Sequence, residues 1–356
     1  MSDHDHPFAD IERRLLNPPG DGLMITWTNP VTPPPGDLRV GDLITAVNEA
    51  PIENRRAFYQ AMRPAGDDDT TRRLTLNRDG TSVVVETATQ PRGYSICDVR
   101  RGQPAWDARP ATSYEPVFDR LLGSREIWLR NSFEQTPAGF EVLRLTPGDR
   151  ELTVDTLFRL GGVDDAGAES WDYRTHSITT HRLDAQLSVT RTAFREGKPG
   201  KEKLLGDVRV DADGRTWRGT HHHNATKVDQ PVEFVAPWRM LTGYTVTLLP
   251  MTMPLEEGAS TIVVQCSDGI ALPIARSRVE CVGRREVMVG GQAVNAWCFA
   301  WRHYGMRPAD EDERFYVDDE RNMVRIEWGP DYGGCWCERV ESREALGDLP
   351  AHVKVE

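Results

Sequence analysis

From Glu126 to Ser342 the chain repeats with a period of two, and that period is the mark of a strand half-buried in a sheet. Glu151–Leu160 sets Leu152, Val154 and Leu160 against polar positions and breaks the alternation at Thr156–Phe158. Gln186–Phe194, Asp207–Gly219, Glu286–Trp301 and Glu313–Trp328 read the same way, with turns at Asp213-Gly214, Gly290-Gly291 and Asp318–Asn322. In the third of these Trp297, Phe299 and Trp301 form an aromatic face opposite Ala296, Cys298 and Ala300, and in the last Val324, Ile326 and Trp328 share a face. The expectation is a curved antiparallel sheet of about ten to twelve strands, a half-barrel or sandwich, over residues 126–345. A concave face lined by Trp297, Phe299 and Trp301 must be filled, either by an apolar ligand or by another part of the chain.

Residues 20–90 read as a smaller α+β domain, so the fold class is mainly β with two domains. Leu23, Ile25 and Trp27 alternate along a first strand, and Leu43–Val47 form a second. A short helix follows from about Asn54 to Met62, where Phe58 and Met62, and Ala57 and Ala61, stand four apart and make one apolar stripe. Two alternating strands then turn at Asp79-Gly80. Residues 1–19 and 346–356 read as tails. Residues 91–125 read as a linker, punctuated by Pro91, Gly93, Gly102, Pro104, Pro110 and Pro116, with a short helix near Glu115–Leu122. Trp106, Tyr114 and Phe118 make it a linker that lies on a surface.

The stretch Leu38–Ile44, then Val47-Asn48, Pro51-Ile52 and the hairpin Asn77–Gly80 resembles a PDZ domain of the kind appended to bacterial high-temperature-requirement proteases. The resemblance implies a peptide-binding groove, in which a peptide or protein C-terminus adds as a strand between the first strand and the helix. Its residues here are Gly22, Leu23, Met24 and Ile25 from the loop and first strand, with Phe58 and Met62 from the helix. The sequence departs from the family where Pro33, Pro34 and Pro35 replace a short helix, since proline carries no N–H for one. In the larger domain, Thr247–Leu255, Arg285–Trp301 and Phe315–Trp328 together resemble an uncharacterised bacterial β-rich family, similar to the half-barrel of periplasmic lipoprotein carriers. That resemblance implies an apolar ligand on the concave face.

The chain carries 55 acidic against 43 basic side chains, a net charge of −12, with no polybasic segment. Nucleic-acid binding and attraction to anionic membranes are therefore not expected. The N-terminus shows neither the basic cluster nor the apolar run of an export signal, and no apolar run is long enough for a membrane helix, so the expectation is a cytoplasmic protein. Six cysteines are too sparse for a disulfide framework and read as small core residues. Cys335 and Cys337 stand on one strand face, too far apart for an unstrained bridge.

Thr220–Asn224 contains His221, His222 and His223. His221 and His223 share a strand face and make a zinc site if the fold brings His303 near. No nucleophile elbow, phosphate loop or dinucleotide fingerprint is present. The preferred function is a non-enzymatic binding or scaffold protein without a cofactor. The alternative is a metal-dependent hydrolase around His221 and His223, and a third reading makes the small domain a purely structural docking element.

Overall fold

A computed structural model describes residues 14, 17–28, 34, 36–66, 70–89, 94–101, 111–112, 118, 121, 125–133, 136–164, 167–180, 183, 186–196, 202–213, 216–223, 228–235, 240–266, 273–303, 313–328, 335–350, 353 and 355. They fall into two compact units, an N-terminal one and one that begins at Ala111.

The N-terminal unit is a sheet of β1 (Gly22–Thr28), β2 (Leu43–Val47), β3 (Ala50–Pro51), β4 (Thr71–Arg78), β5 (Thr81–Ala88) and β6 (Tyr94–Val99), with one helix, α1 (Arg55–Ala61). The order is β5-β4-β2-β1-β6, and β3 pairs with β2. β4 and β5 are joined by Asp79-Gly80, both with positive φ, the mirror-image turn that matches strand twist. α1 begins where Asn54, in extended backbone, accepts the Ala57 N–H on its side chain at 2.9 Å. At its other end the buried Arg72 guanidinium donates to the Ala61 and Arg63 carbonyls, satisfying groups the last turn leaves open. The core joins Leu23, Ile25, Ile44, Val47, Leu74, Leu76, Phe58, Met62 and Ile96. β6 falls in the stretch expected to be a linker; the alternation of Tyr94, Ile96 and Asp98 is too short, between Pro91–Gly93 and Gly102, to stand out as a strand.

The second unit is one sheet, with fifteen strands among the described residues. β7 (Arg125–Phe133), β8 (Thr136–Pro147), β9 (Glu151–Asp164), β10 (Gly167–Thr180), β11 (Gln186–Glu196), β12 (Glu202–Asp213), β13 (Thr216–His223) and β14 (Val228–Val235) form a meander in which each strand pairs with the next. A second meander follows, of β15 (Met240–Thr242), β16 (Ser260–Cys266), β17 (Pro273–Val289), β18 (Gln292–His303), β19 (Glu313–Val317), β20 (Met323–Glu327) and β21 (Cys335–Val340). β21 pairs antiparallel with β7 and joins the two halves. β15 is the departure from an antiparallel sheet, since it runs parallel to β16. It also comes up against β11 without pairing, so the sheet curls but does not close.

Alternation sends Ile127, Leu129, Leu143, Leu145, Leu152, Val154, Phe299, Trp301, Phe315 and Cys337 to the inner face. The apolar part of that face is filled by the chain itself. Thr247–Leu255, with a one-turn helix at Gly243–Val246 before it and a 3-10 turn at Leu249–Met251 within it, brings Val246, Leu248, Leu249, Met251 and Met253 into the same cluster, and the 3-10 turn packs on β19. On the outer face Leu346 and Val353 lie buried against Trp128, Phe140 and Val142, so residues expected to be a free tail cover the sheet. One expected face is corrected: Ile326 and Trp328 point inward, but a bulge opposite Tyr316 and Val317 turns Val324 outward to Val287 and Cys298. Of the expected helix at Glu115–Leu122 only Phe118 and Leu121 are described, joined by a turn bond from the Leu121 N–H to the Phe118 carbonyl.

Candidate functional site

The first strand of the N-terminal unit begins at a glycine that nothing else can replace. Gly22 has φ +148, and a Cβ there would stand 2.6 Å from the Ile44 carbonyl oxygen. This close approach sets β1 beside β2 on one edge, with Leu23 opposite Ile44 and Met24 opposite Leu43. The opposite edge is the one expected to receive a peptide. The chain's own β6 occupies it, antiparallel, pairing Gly22 with Val99, Leu23 with Asp98, Met24 with Cys97, Ile25 with Ile96 and Thr28 with Tyr94.

β6 also runs along α1. Ile96 and Tyr94 pack into the cluster that holds Phe58, Met62, Ala57 and Ala61. Asp98 reaches the start of the helix, where its carboxylate accepts the Arg55 backbone N–H at 2.9 Å. That contact pairs a negative charge with the partial positive charge of unsatisfied N–H groups. Beyond the strand, the Arg101 N–H donates to the Asp21 side chain at 2.7 Å, so the chain continues past the point where a captured C-terminus would stop. Burial pushes the Tyr94 hydroxyl far above the usual tyrosine range, with the nearby Tyr59 adding to it.

Of the six predicted groove residues, the structure brings Leu23, Ile25, Phe58 and Met62 into one buried cluster and places Gly22 beside Leu23 at the start of β1, opposite Val99. Met24 is equally buried but points to the opposite face of the sheet, beside Cys97, because neighbours on a strand alternate. Sequence reading missed the occupant, residues 94–99.

The three predicted ligand-binding aromatics share the inner face but differ in burial. Phe299 and Trp301 are sealed in the inner-face cluster that also takes in Leu249 and Met251, with Trp301 and Phe315 ring centroids 5.4 Å apart. Trp297 is half-buried, donates its Nε1–H to Asp319 at 3.0 Å and carries the Arg284 guanidinium 4.8 Å from its ring centroid. An apolar ligand resting on Phe299 or Trp301 has to displace the chain's own methionine-rich segment.

His221 and His223 lie on β13, opposite Val208 and Gly206 of β12, and His303 ends β18. The side chains of all three lie outside the described residues. Among the described residues no group of three or more histidine, cysteine or acidic side chains is placed to hold a metal ion.

Cys335 and Cys337 share the inner face as free thiols. Burial and the Glu141 carboxylate push Cys335 up to about 12 and Cys337 well above the ordinary thiol value. Both are protonated at neutral pH and neither is poised as a nucleophile.

No family model matches the chain, and no curated protein matches it. Among solved structures it is similar to a beta-barrel-like protein of a domain of unknown function, DUF1849, from Brucella abortus, at 9% identity and a TM-score of 0.42, over 62% of this chain and 96% of that one. Among the described residues no helix is long and apolar enough to cross a membrane.

Proposed function

We propose that this is a binding protein whose N-terminal unit takes an extended chain segment as an added strand between β1 and α1, and that in the free molecule Tyr94–Val99 stands in that place. One observation carries the reading: β6 satisfies the β1 edge and sends alternate side chains, Tyr94, Ile96 and Asp98, to the helix. This is how strand addition works in general, with main-chain bonds giving affinity and alternate side chains giving selectivity. The resemblance to a PDZ domain supports the same edge and the same helix. The partner is then a peptide or protein segment with a β-branched or aromatic residue two positions before an acidic one, as in Ile96 and Asp98.

Hydrogen exchange of the full chain tests this, with and without a synthetic peptide carrying the sequence of residues 94–99. The expected result is faster exchange of the β6 amides in excess peptide, as β6 is displaced, while the β4 and β5 amides keep their protection. Unchanged β6 exchange at millimolar peptide, with no binding to a chain whose β6 has been weakened by substitution, refutes the proposal.

A further inference from the structure

A second site is carried by the larger unit and is independent of strand capture. Its starting point is where polar side chains sit on the inner face. Alternation puts Asn131 of β7, Glu141 of β8, Thr156 of β9, and Thr175 and Ser177 of β10 on the side that also bears Leu129, Leu143, Leu145 and Val154. Glu141 pairs with Leu129 and Phe158, Leu143 with Thr156, Thr156 with Thr175, and Val154 with Ser177. Each polar residue is therefore a direct or diagonal neighbour of the next, about 5–8 Å away. They form one stripe across four strands.

Every member is buried: Asn131 and Ser177 are 0% exposed, Glu141 1%, Thr175 4% and Thr156 5%. Both amide atoms of Asn131 and the hydroxyls of Thr156, Thr175 and Ser177 are enclosed and meet no hydrogen-bond partner among the described residues. Buried polar groups in native proteins are satisfied almost without exception, by protein, ordered water or ligand. A strand accepts valine at a threonine position with no loss to the backbone ladder. Four orphaned side chains side by side thus point to a partner that is not part of the chain.

The local backbone frames the stripe. A register shift falls between Asn131 and Ser132, and Asn131 faces Gly139, where a Cβ would stand 2.0 Å from the Arg159 carbonyl oxygen. On the β8 side no side chain stands opposite the amide, while on the β21 side Asn131 faces Cys337, and bulges of this kind re-aim a side chain.

We infer that this stripe binds a small neutral polyhydroxylated molecule, of monosaccharide or cyclitol size. A carboxamide offers donor and acceptor together, three hydroxyls each offer both, and Glu141 adds an acceptor that disfavours an anion. On the adjoining row of the same face the rings of Phe158 and Tyr173 lie 5.8 Å apart and offer an apolar surface to the C–H side of such a ring. The break in alternation at Thr156–Phe158 is the trace of this stripe in the sequence.

Untagged full-length protein is tested by native mass spectrometry, and by thermal shift and calorimetry with D-glucose, D-ribose and myo-inositol. Thr156→Val and Thr175→Val keep the side-chain shape and remove the orphaned hydroxyl, so both fold, with melting unchanged or raised. The expected result is a saturable shift with at least one probe, weakened about tenfold by each valine variant. A bare chain mass with no saturable shift from any probe means ordered water only and overturns the inference. Binding that both valine variants retain at wild-type strength overturns it as well.

Discussion

Ile96→Ala separates a displaceable β6 from one that is an inseparable part of the fold. Ile96 is 4% exposed and packs with Phe58 and Met62. Removing three buried carbons there costs about 2–4 kcal/mol. If β6 docks and undocks as a tethered strand, the loss falls on docking alone, and about 2.7 kcal/mol lowers the docking constant about 100-fold. A tethered strand competes with free peptide at an effective concentration near ~1 mM, as short linkers give. In the wild type the apparent Kd of a peptide of sequence 94–99 then cannot fall below about that value, however tight the intrinsic contact. In Ile96→Ala the floor drops to about 10 µM, because the competitor is weakened while the peptide keeps its isoleucine. Fluorescence anisotropy of a labelled peptide measures both. Equal and weak binding to the two proteins, together with a 2–4 kcal/mol fall in the global unfolding free energy of the variant, refutes the displaceable strand.

Two further outcomes follow from other contacts. Asp42 is 2% exposed and takes two bonds at 2.8 Å from Arg78, whose side chain is 18% exposed, and one at 2.9 Å from the Arg39 N–H. Arg78→Met leaves that carboxylate buried without its cation, and urea denaturation should show the N-terminal unit destabilised by about 3 kcal/mol, with part recovered in Arg78→Met/Asp42→Asn. Burial raises the thiols of Cys298 to about 11 and Cys335 to about 12, and Cys337 further. Unfolded thiols release their protons near pH 9, so above that pH the native state binds more protons than the unfolded one, and stability falls as pH rises from 9 towards 12. Melting followed across that range should show the fall, and Cys298→Ser with Cys335→Ser should reduce it.

What the sequence discloses here is local. The Asp79-Gly80 and Gly290-Gly291 turns, the α1 stripe of Phe58 and Met62, and the aromatic face of Trp297, Phe299 and Trp301 all depend on residues within one or two elements, and the structure places them as their spacing requires. What fills a face is not local. Thr247–Leu255 is apolar enough to be noticed, yet only the curl of the sheet makes it the inner filling. The strand β1 and the helix stripe are legible one by one, but the strand that pairs with the far edge of β1 lies about 70 positions away in a stretch that proline and glycine disguise. The polar stripe escapes because alternation assigns polar positions to solvent, and in this unit both faces of the central strands are covered. Val324 fails for a smaller reason, one extra residue in a bulge.

The seam between β7 and β21 has a consequence for synthesis. Strands from Arg125 to Val235 can pair hairpin by hairpin as they leave the ribosome, but the inner edge of that half, β7, waits for Cys335–Val340, the last strand among the described residues. Until then the β7 edge, with its Arg130, lacks both its ladder and the Glu338 carboxylate that pairs with that arginine. An unpaired edge is a template for wrong partners. Leu346 and Val353, buried with Trp128 of β7 and beside Val340 of β21, then close over the finished join. A nascent chain cut short before β21 is thus left with an open edge, and residues 335–340, with Leu346 and Val353 over them, are the ones that end its exposure to other chains.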